Sequence, residues 1–205
     1  MKYIPSILLF FFLLSFSSCS TKTVESELPE PNPPTPVIPE EPTPEKEKML
    51  WFDAEANFER FSKKENITYY LDLAKSTGFN KIVVDVRPVQ GDALFKSSYL
   101  TPLTDLAGTH IERDWNYLQF FIDEAHKREL KVTVSATIFT AGLPSSKNGM
   151  AYRDDTWDGK TCLEYTKDQG LIDIKDDKTK VSAFLNPVLP EVQDFCLNFI
   201  KELVT

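Results

Sequence analysis

Asp85 and Arg87 stand at the end of an apolar run, "KIVVDVRPVQGDALF", and Asp92 follows five residues later across Gly91. Charges at the tip of a buried strand are costly unless they are paired or used. On a strand the pair shares one face, so the two could hold each other as a structural ion pair or reach a ligand. Pro88 ends the run and Gly91 lets the chain turn, which would set Asp92 on the rim of the strand tips. A second strand tip carries Asp53, with Glu55 and Asn57 behind it. Asp53 can hydrogen-bond a ligand's hydroxyls, or cap the segment that follows it. Asp53, Asp85 and Asp92 are the acid–base candidates, although no sequence partner marks any two of them as a pair.

The elements that must position these residues alternate between two periods. "MLWF" at 49–52 is a short strand ending at Asp53. A helix is predicted over 66–77, with Ile67, Tyr70, Leu71 and Ala74 on one face. Ser62 with Glu65 fits a capping box, Asn66 is a rival cap, and Gly78 suits the C-terminal stop. Residues 81–86 form the second strand. Asp114 is expected to cap a second helix that buries Leu118, Phe121, Ile122 and Ala125. Its last turn holds His126, Lys127 and Arg128, whose charge suits the helix dipole and leaves His126 without a catalytic reading. Residues 131–139 form the third strand. Pro190 opens a third helix with the apolar stripe Val192, Phe195, Cys196, Phe199, Ile200 and Leu203.

Strand–helix alternation implies parallel strands with right-handed crossovers, hence an α/β fold. In the second strand Val83, Asp85 and Arg87 oppose Ile82, Val84 and Val86. In the third, Thr133, Ser135 and Thr137 oppose Val132, Val134, Ala136 and Ile138. One apolar face and one small or polar face suit a (β/α)8 TIM-barrel interior better than a doubly wound sheet. A closed barrel takes eight units and about 250 residues. The expectation is therefore the first three βα units of a truncated barrel, with a strand-tip face that meets ligand.

The 205 residues carry a net charge of -8, which argues against a nucleic-acid partner. Residues 1–19 read as a lipoprotein signal peptide: Lys2, an apolar run over 4–16, then "FSSCS" with Cys19 as the lipidated residue. An ordinary secretory signal and a membrane-spanning anchor are the alternatives. Residues 20–48 form a Pro/Glu-rich linker with too little apolar mass to fold, suited to hold a domain clear of a membrane. That leaves residues 49–205 as the globular part and places the protein in the bacterial cell envelope, periplasmic or surface-exposed. Cys162 and Cys196 remain; two cysteines make no framework, and no Cys/His spacing points to a metal or another cofactor.

Residues 78–104, 113–139 and 184–195 carry a resemblance. The quoted pieces are "GFNKIVVDVRPVQGDALFKSSYLTPLT", "RDWNYLQFFIDEAHKRELKVTVSATIF" and "FLNPVLPEVQDF". Together, in this order, they resemble the glycosyl hydrolase-like 10 family. Its pattern is met by Gly78, Phe79, Asn80, Arg87, Pro88, Gly91, Asp92, Ala93, Ser97 and Pro102. It is met again by Glu124 to Arg128, by Asn186 and Pro187, and by Pro190, Glu191 and Val192. Glu129 departs from the pattern, standing where a glycine usually ends the second helix. The resemblance implies a TIM barrel, often a lipoprotein, that hydrolyses O-glycosidic bonds of a polysaccharide or envelope glycan. The alternative is a non-catalytic glycan-binding or scaffold lipoprotein. Hydrolysis needs one carboxylic acid to protonate the leaving oxygen and one carboxylate to attack or to activate water. The family's catalytic carboxylates are expected beyond Thr205.

Substrate positioning is then expected from Asp53, Asp85, Arg87, Asp92, Trp157 and Asn186, with Asp85 supporting Arg87 or Arg87 orienting a downstream carboxylate. Trp157, Tyr152 and Tyr165 lie in a long loop over 140–185, where rings can stack on sugar faces or pin the loop to the body. Asn186 could equally make a turn before Pro187.

Overall fold

A computed structural model describes residues 46–204. The signal at 1–19, Cys19 and all but the last residues of the linker lie outside the described residues. In chain order the elements are β1 (Met49–Phe52), α1 (Lys64–Ser76), β2 (Lys81–Arg87), β3 (Asp105–Leu106), β4 (Thr109–His110) and α2 (Tyr117–His126). Then come β5 (Lys131–Ala136), β6 (Thr140–Gly142), β7 (Leu163–Thr166), β8 (Gly170–Asp173), β9 (Ala183–Phe184) and α3 (Pro190–Val204).

The central sheet has the order β1-β2-β5, and both pairings are parallel. The predicted facial asymmetry is present. Ile82, Val84 and Val86 are 0 % exposed and pack with Phe52 against Ile67 and Leu71 of α1 and Phe121 and Ala125 of α2. Full burial of each aliphatic side chain contributes about 1.5–3 kcal/mol. Phe52, Phe61 and Phe121 form a ring cluster with centroids 5.2–5.9 Å apart. On the opposite face Met49 and Trp51 are exposed and Thr133 is solvated. No closed barrel forms among the described residues; the sheet is three parallel strands with helices on one side.

Several local expectations are corrected. The first helix begins at Lys64 with Lys63 at its N-cap and no side-chain cap. Ser62 instead donates to the Glu59 carbonyl, and the Asn66 amide donates to the Arg60 carbonyl. Asn116, not Asp114, caps α2, its Oδ1 accepting from the Gln119 amide at 3.2 Å. The α1 stop is as expected: Gly78 sits at φ 87° while its amide and that of Phe79 bond back to Lys75 and Ala74. Lys46 to Lys48, assigned to the linker, are tied down. Asn80 brackets Lys46 and Lys48, and Glu47 pairs with Lys81 and Lys131 at 3.1 and 3.4 Å.

The stretch over 140–185 is a folded annex. Its ends pair as β6 and β9, antiparallel, and a β7–β8 hairpin projects between them. The annex seats closely on the β2–α2 loop. A Cβ at Gly149 would meet the Gly142 Cα at 2.4 Å and the Gln90 carbonyl at 2.6 Å.

Candidate active site

The tips of β1 and β2 bring three carboxyl groups together. Phe52 is in register with Val84, so Asp53 follows beside Asp85. Asp53 is exposed and does what its capping alternative foresaw: its Oδ1 accepts from the Ala56 amide at 2.9 Å, and its carbonyl accepts from Asn57 at 3.0 Å. Asp85 is half-buried beside it. Burial raises the Asp85 pKa to about 6; the Arg87 and Ala54 amides oppose the shift, and the negative charges of Asp53 and Glu55 add to it. Glu55 is raised as well, first by burial and then by Asp53, against a pull from the Val89 amide. A carboxyl group that keeps its proton toward pH 6, next to other carboxyl groups at a strand tip, is the kind of group that can donate a proton in catalysis. Glu55 was missing from the sequence's site list. Its signal was the spacing Asp-Ala-Glu directly after a strand.

Arg87 does not join this cluster. The register between β2 and β5 slips between Asp85 and Arg87, so Asp85 lies opposite Ser135 and Arg87 opposite Ala136. This β-bulge turns Arg87 to the helix side. There it is 0 % exposed, with its guanidinium 5.0 Å from the Phe199 ring of α3. It donates to the carbonyls of Thr137, Ile138 (3.2 Å) and Thr140 (2.7 Å), and to the Thr140 hydroxyl at 3.2 Å. Burial lowers its pKa to about 10, which leaves it charged at neutral pH. The expected Asp85–Arg87 pairing on an inward face is thus corrected: Arg87 clamps the chain after β5 from beneath.

Asp92, expected on the rim, is 2 % exposed. One oxygen accepts from Arg153 and from Gln90 at 3.0 Å, which ties the β2–α2 loop to the annex. Trp157 packs edge-on against Phe195 of α3 at 4.7 Å, the pinning role foreseen as its alternative. Tyr152 donates to the Lys175 carbonyl at 2.7 Å, and Tyr165 is exposed. Asn186 makes the turn into α3, its Oδ1 accepting from the Val188 amide at 3.1 Å. Of the six expected positioning residues, the structure brings only Asp53 and Asp85 together.

Cys162 and Cys196 are free thiols, Cys196 being buried on the inner face of α3. His110 is exposed and bonds Asp105 at 2.8 Å, which raises its pKa. Among the described residues no group of three or more His, Cys, Asp or Glu is arranged to hold a metal ion.

The sequence profile of the family described as glycosyl hydrolase-like 10 matches residues 47–205. The chain belongs to the glycosyl hydrolase-like 10 family. Among its relatives is an S-layer-related protein of Niallia circulans, 32% identical over 169 residues, covering 78% of this chain and 10% of that protein. Another is the glycosyl hydrolase DigH of Escherichia coli (strain K12), 29% identical over 137 residues, covering 66% of this chain and 30% of DigH. The matched region thus spans under a third of either relative. A solved structure from Ruminiclostridium thermocellum, described as a hypothetical protein, aligns at 16% identity and TM-score 0.47 over 76% of this chain and 69% of its own.

Proposed function

We propose that this chain belongs to a glycosidase that cleaves O-glycosidic bonds of a polysaccharide or cell-envelope glycan, and that its β1 and β2 tips form one wall of the cleft. The observation that carries the reading is the gathering of Asp53, Glu55 and Asp85 at the C-terminal ends of parallel strands, on the side away from the helices. Glycoside hydrolysis needs a protonated carboxyl group beside a second one, and Asp85 has the environment of the former. Asp53 offers an acceptor to sugar hydroxyls. A lipidated Cys19 and the linker over 20–48 would hold the cleft at an envelope membrane, free of any nucleic-acid partner.

The test is release of reducing ends from purified peptidoglycan glycan strands and from soluble polysaccharides. Asp85→Asn is expected to lower turnover by about 10²–10⁴-fold, the range for losing a general acid. Turnover and glycan affinity unchanged in both Asp53→Asn and Asp85→Asn would remove these groups from the site. A second reading, a non-catalytic glycan-binding or scaffold lipoprotein, is favoured by the likeness to an S-layer-related protein. Glycan binding by the wild-type protein without release of reducing ends supports that reading instead.

A further inference from the structure

The annex carries the one Asn–Gly step of the chain, Asn148–Gly149, in the stretch between β6 and β7. An asparagine side chain can be attacked by the backbone nitrogen of the next residue, and glycine, with no Cβ, shields that nitrogen least. Here the fold does not protect the step. The Gly149 amide is committed to no backbone carbonyl; it donates to Oδ1 of Asn148 itself at 2.8 Å and has no other partner among the described residues. The attacking nitrogen therefore rests against an oxygen that is one bond from Cγ, the carbon to be attacked. Turning the side-chain amide about χ2, a soft torsion, presents the face of Cγ to it. Asn148 Nδ2, the group that must leave, has no partner among the described residues and is open to solvent.

The same place is the least able to accept the product. Asn148 closes a turn on Leu143: its carbonyl accepts from the Leu143 amide at 2.7 Å, and its own amide donates back at 3.4 Å. Lys147 before it sits at φ 52° and Gly149 after it at φ 111°. A Cβ at Gly142 would meet the Asn148 carbonyl at 2.6 Å, and Gly149 is already pressed on Gly142 and the Gln90 carbonyl. No space is left there for another backbone atom.

We propose that Asn148–Gly149 is a self-modifying step that closes to a cyclic imide, opens with water to aspartate and isoaspartate, and so loosens the annex from the β2–α2 loop. The Gly149 nitrogen forms a bond to Cγ while the Cγ–Nδ2 bond breaks, and ammonia leaves, carrying by way of solvent the proton that the nitrogen gave up. Water then adds to one of the two imide carbonyls. Opening at Cγ gives aspartate. Opening at the backbone carbonyl gives isoaspartate, whose main chain runs through Cβ and is one atom longer. The carbonyl that held Leu143 becomes a free carboxylate, and Gly149 is pushed off its seat. Arg153, just after the turn at Met150–Tyr152, moves with it and weakens its hold on Asp92. Nothing in this rests on the glycosidase reading, and no glycan enters its test.

The test is ageing of the protein at mildly alkaline pH, folded and, in parallel, unfolded in urea. Trypsin cuts after Lys147 and Arg153, so the peptide from Asn148 to Arg153 reports the exchange of NH2 for OH by mass, and isoaspartyl methyltransferase labels the isoaspartate in it. The folded protein should convert within about tenfold of the unfolded rate, since opening a surface turn costs little. Asn148→Gln should not convert, because its longer side chain must close a larger ring. Brief proteolysis of the native protein should cut the aged wild type within the annex several-fold faster than the fresh protein, and aged Asn148→Gln no faster than fresh. A folded protein that converts more slowly than that tenfold margin overturns the proposal. So does conversion that leaves the cutting rate unchanged, or equal conversion in Asn148→Gln.

Discussion

Asp85 and Arg87, two residues apart on β2, face opposite sides of the sheet. The slip in pairing between them turns one toward the open side, beside Asp53, and the other under Phe199 of α3. The same slip makes one side chain a candidate for chemistry and the other a brace for the fold.

Arg87 is a buried charge whose polar partners are mainly backbone carbonyls of the chain just beyond β5. Truncation would strand those carbonyls without donors, and each buried unsatisfied group costs about 1–3 kcal/mol. Arg87→Met should therefore lose about 3 kcal/mol or more in urea unfolding. Arg87→Lys should recover little of this, because an ammonium cannot serve several carbonyls in a planar fork. A loss below about 1 kcal/mol in either variant would contradict the bracing role.

Asp85 sets a pH dependence of stability. Its pKa is raised from an ordinary 3.8 to about 6 in the folded chain, so between those values the folded state holds more proton than the unfolded one. Stability then falls as pH rises from about 4 to 6, and Glu55, shifted the same way, adds to the slope. Asp85→Asn removes the main titrating group. The variant's melting temperature should be flatter than the wild type's across pH 4–6 and higher at pH 7. Parallel curves for the two proteins would show that Asp85 is not held protonated.

Much of this was legible along the chain because it is written in local periodicity. The three parallel strands and three helices follow from apolar spacing, and the α1 stop follows from Gly78. What was not legible depends on partners far off in sequence. The bulge before Arg87 exists only in register against β5, so alternation alone placed Arg87 on the wrong face. The annex over 140–185 looked like a loop because its framing pairs, Thr140 with Phe184 and Gly142 with Ala183, are short and distant. Asp92 read as a rim residue because its partner, Arg153, belongs to that annex.

Glu129 occupies a left-handed position, φ 55°, just after α2, where Leu130 bonds back to Ala125 in the manner of a helix stop. A side chain there costs about 1–2 kcal/mol that glycine avoids. Its compensation is an exposed pair with Lys75 at 3.2 Å, worth about 0–1 kcal/mol. Glu129→Gly should raise the melting temperature by a few degrees, while Glu129→Ala should not. Calorimetry on the two variants checks this, and a destabilised glycine variant would mean that the Lys75 pair outweighs the backbone strain.

The Asp92–Arg153 pair joins two parts of the fold that the sequence separates, and its asymmetry predicts how it fails. Asp92 is 2 % exposed and its second oxygen has no partner, whereas Arg153 reaches solvent. Arg153→Met leaves a buried carboxylate with Gln90 as its one remaining hydrogen-bond donor and only the more distant charge of Arg87 to offset it, and should cost about 3 kcal/mol. Asp92→Leu alone strands Arg153, which can turn to water and lose less. With both changes no buried charge remains, so the double variant should be more stable than Arg153→Met. A double-mutant cycle read by urea unfolding measures the coupling. If the two losses simply add, the annex is held by its β6–β9 frame and its tight glycine contacts, and the ion pair contributes no more than an exposed one.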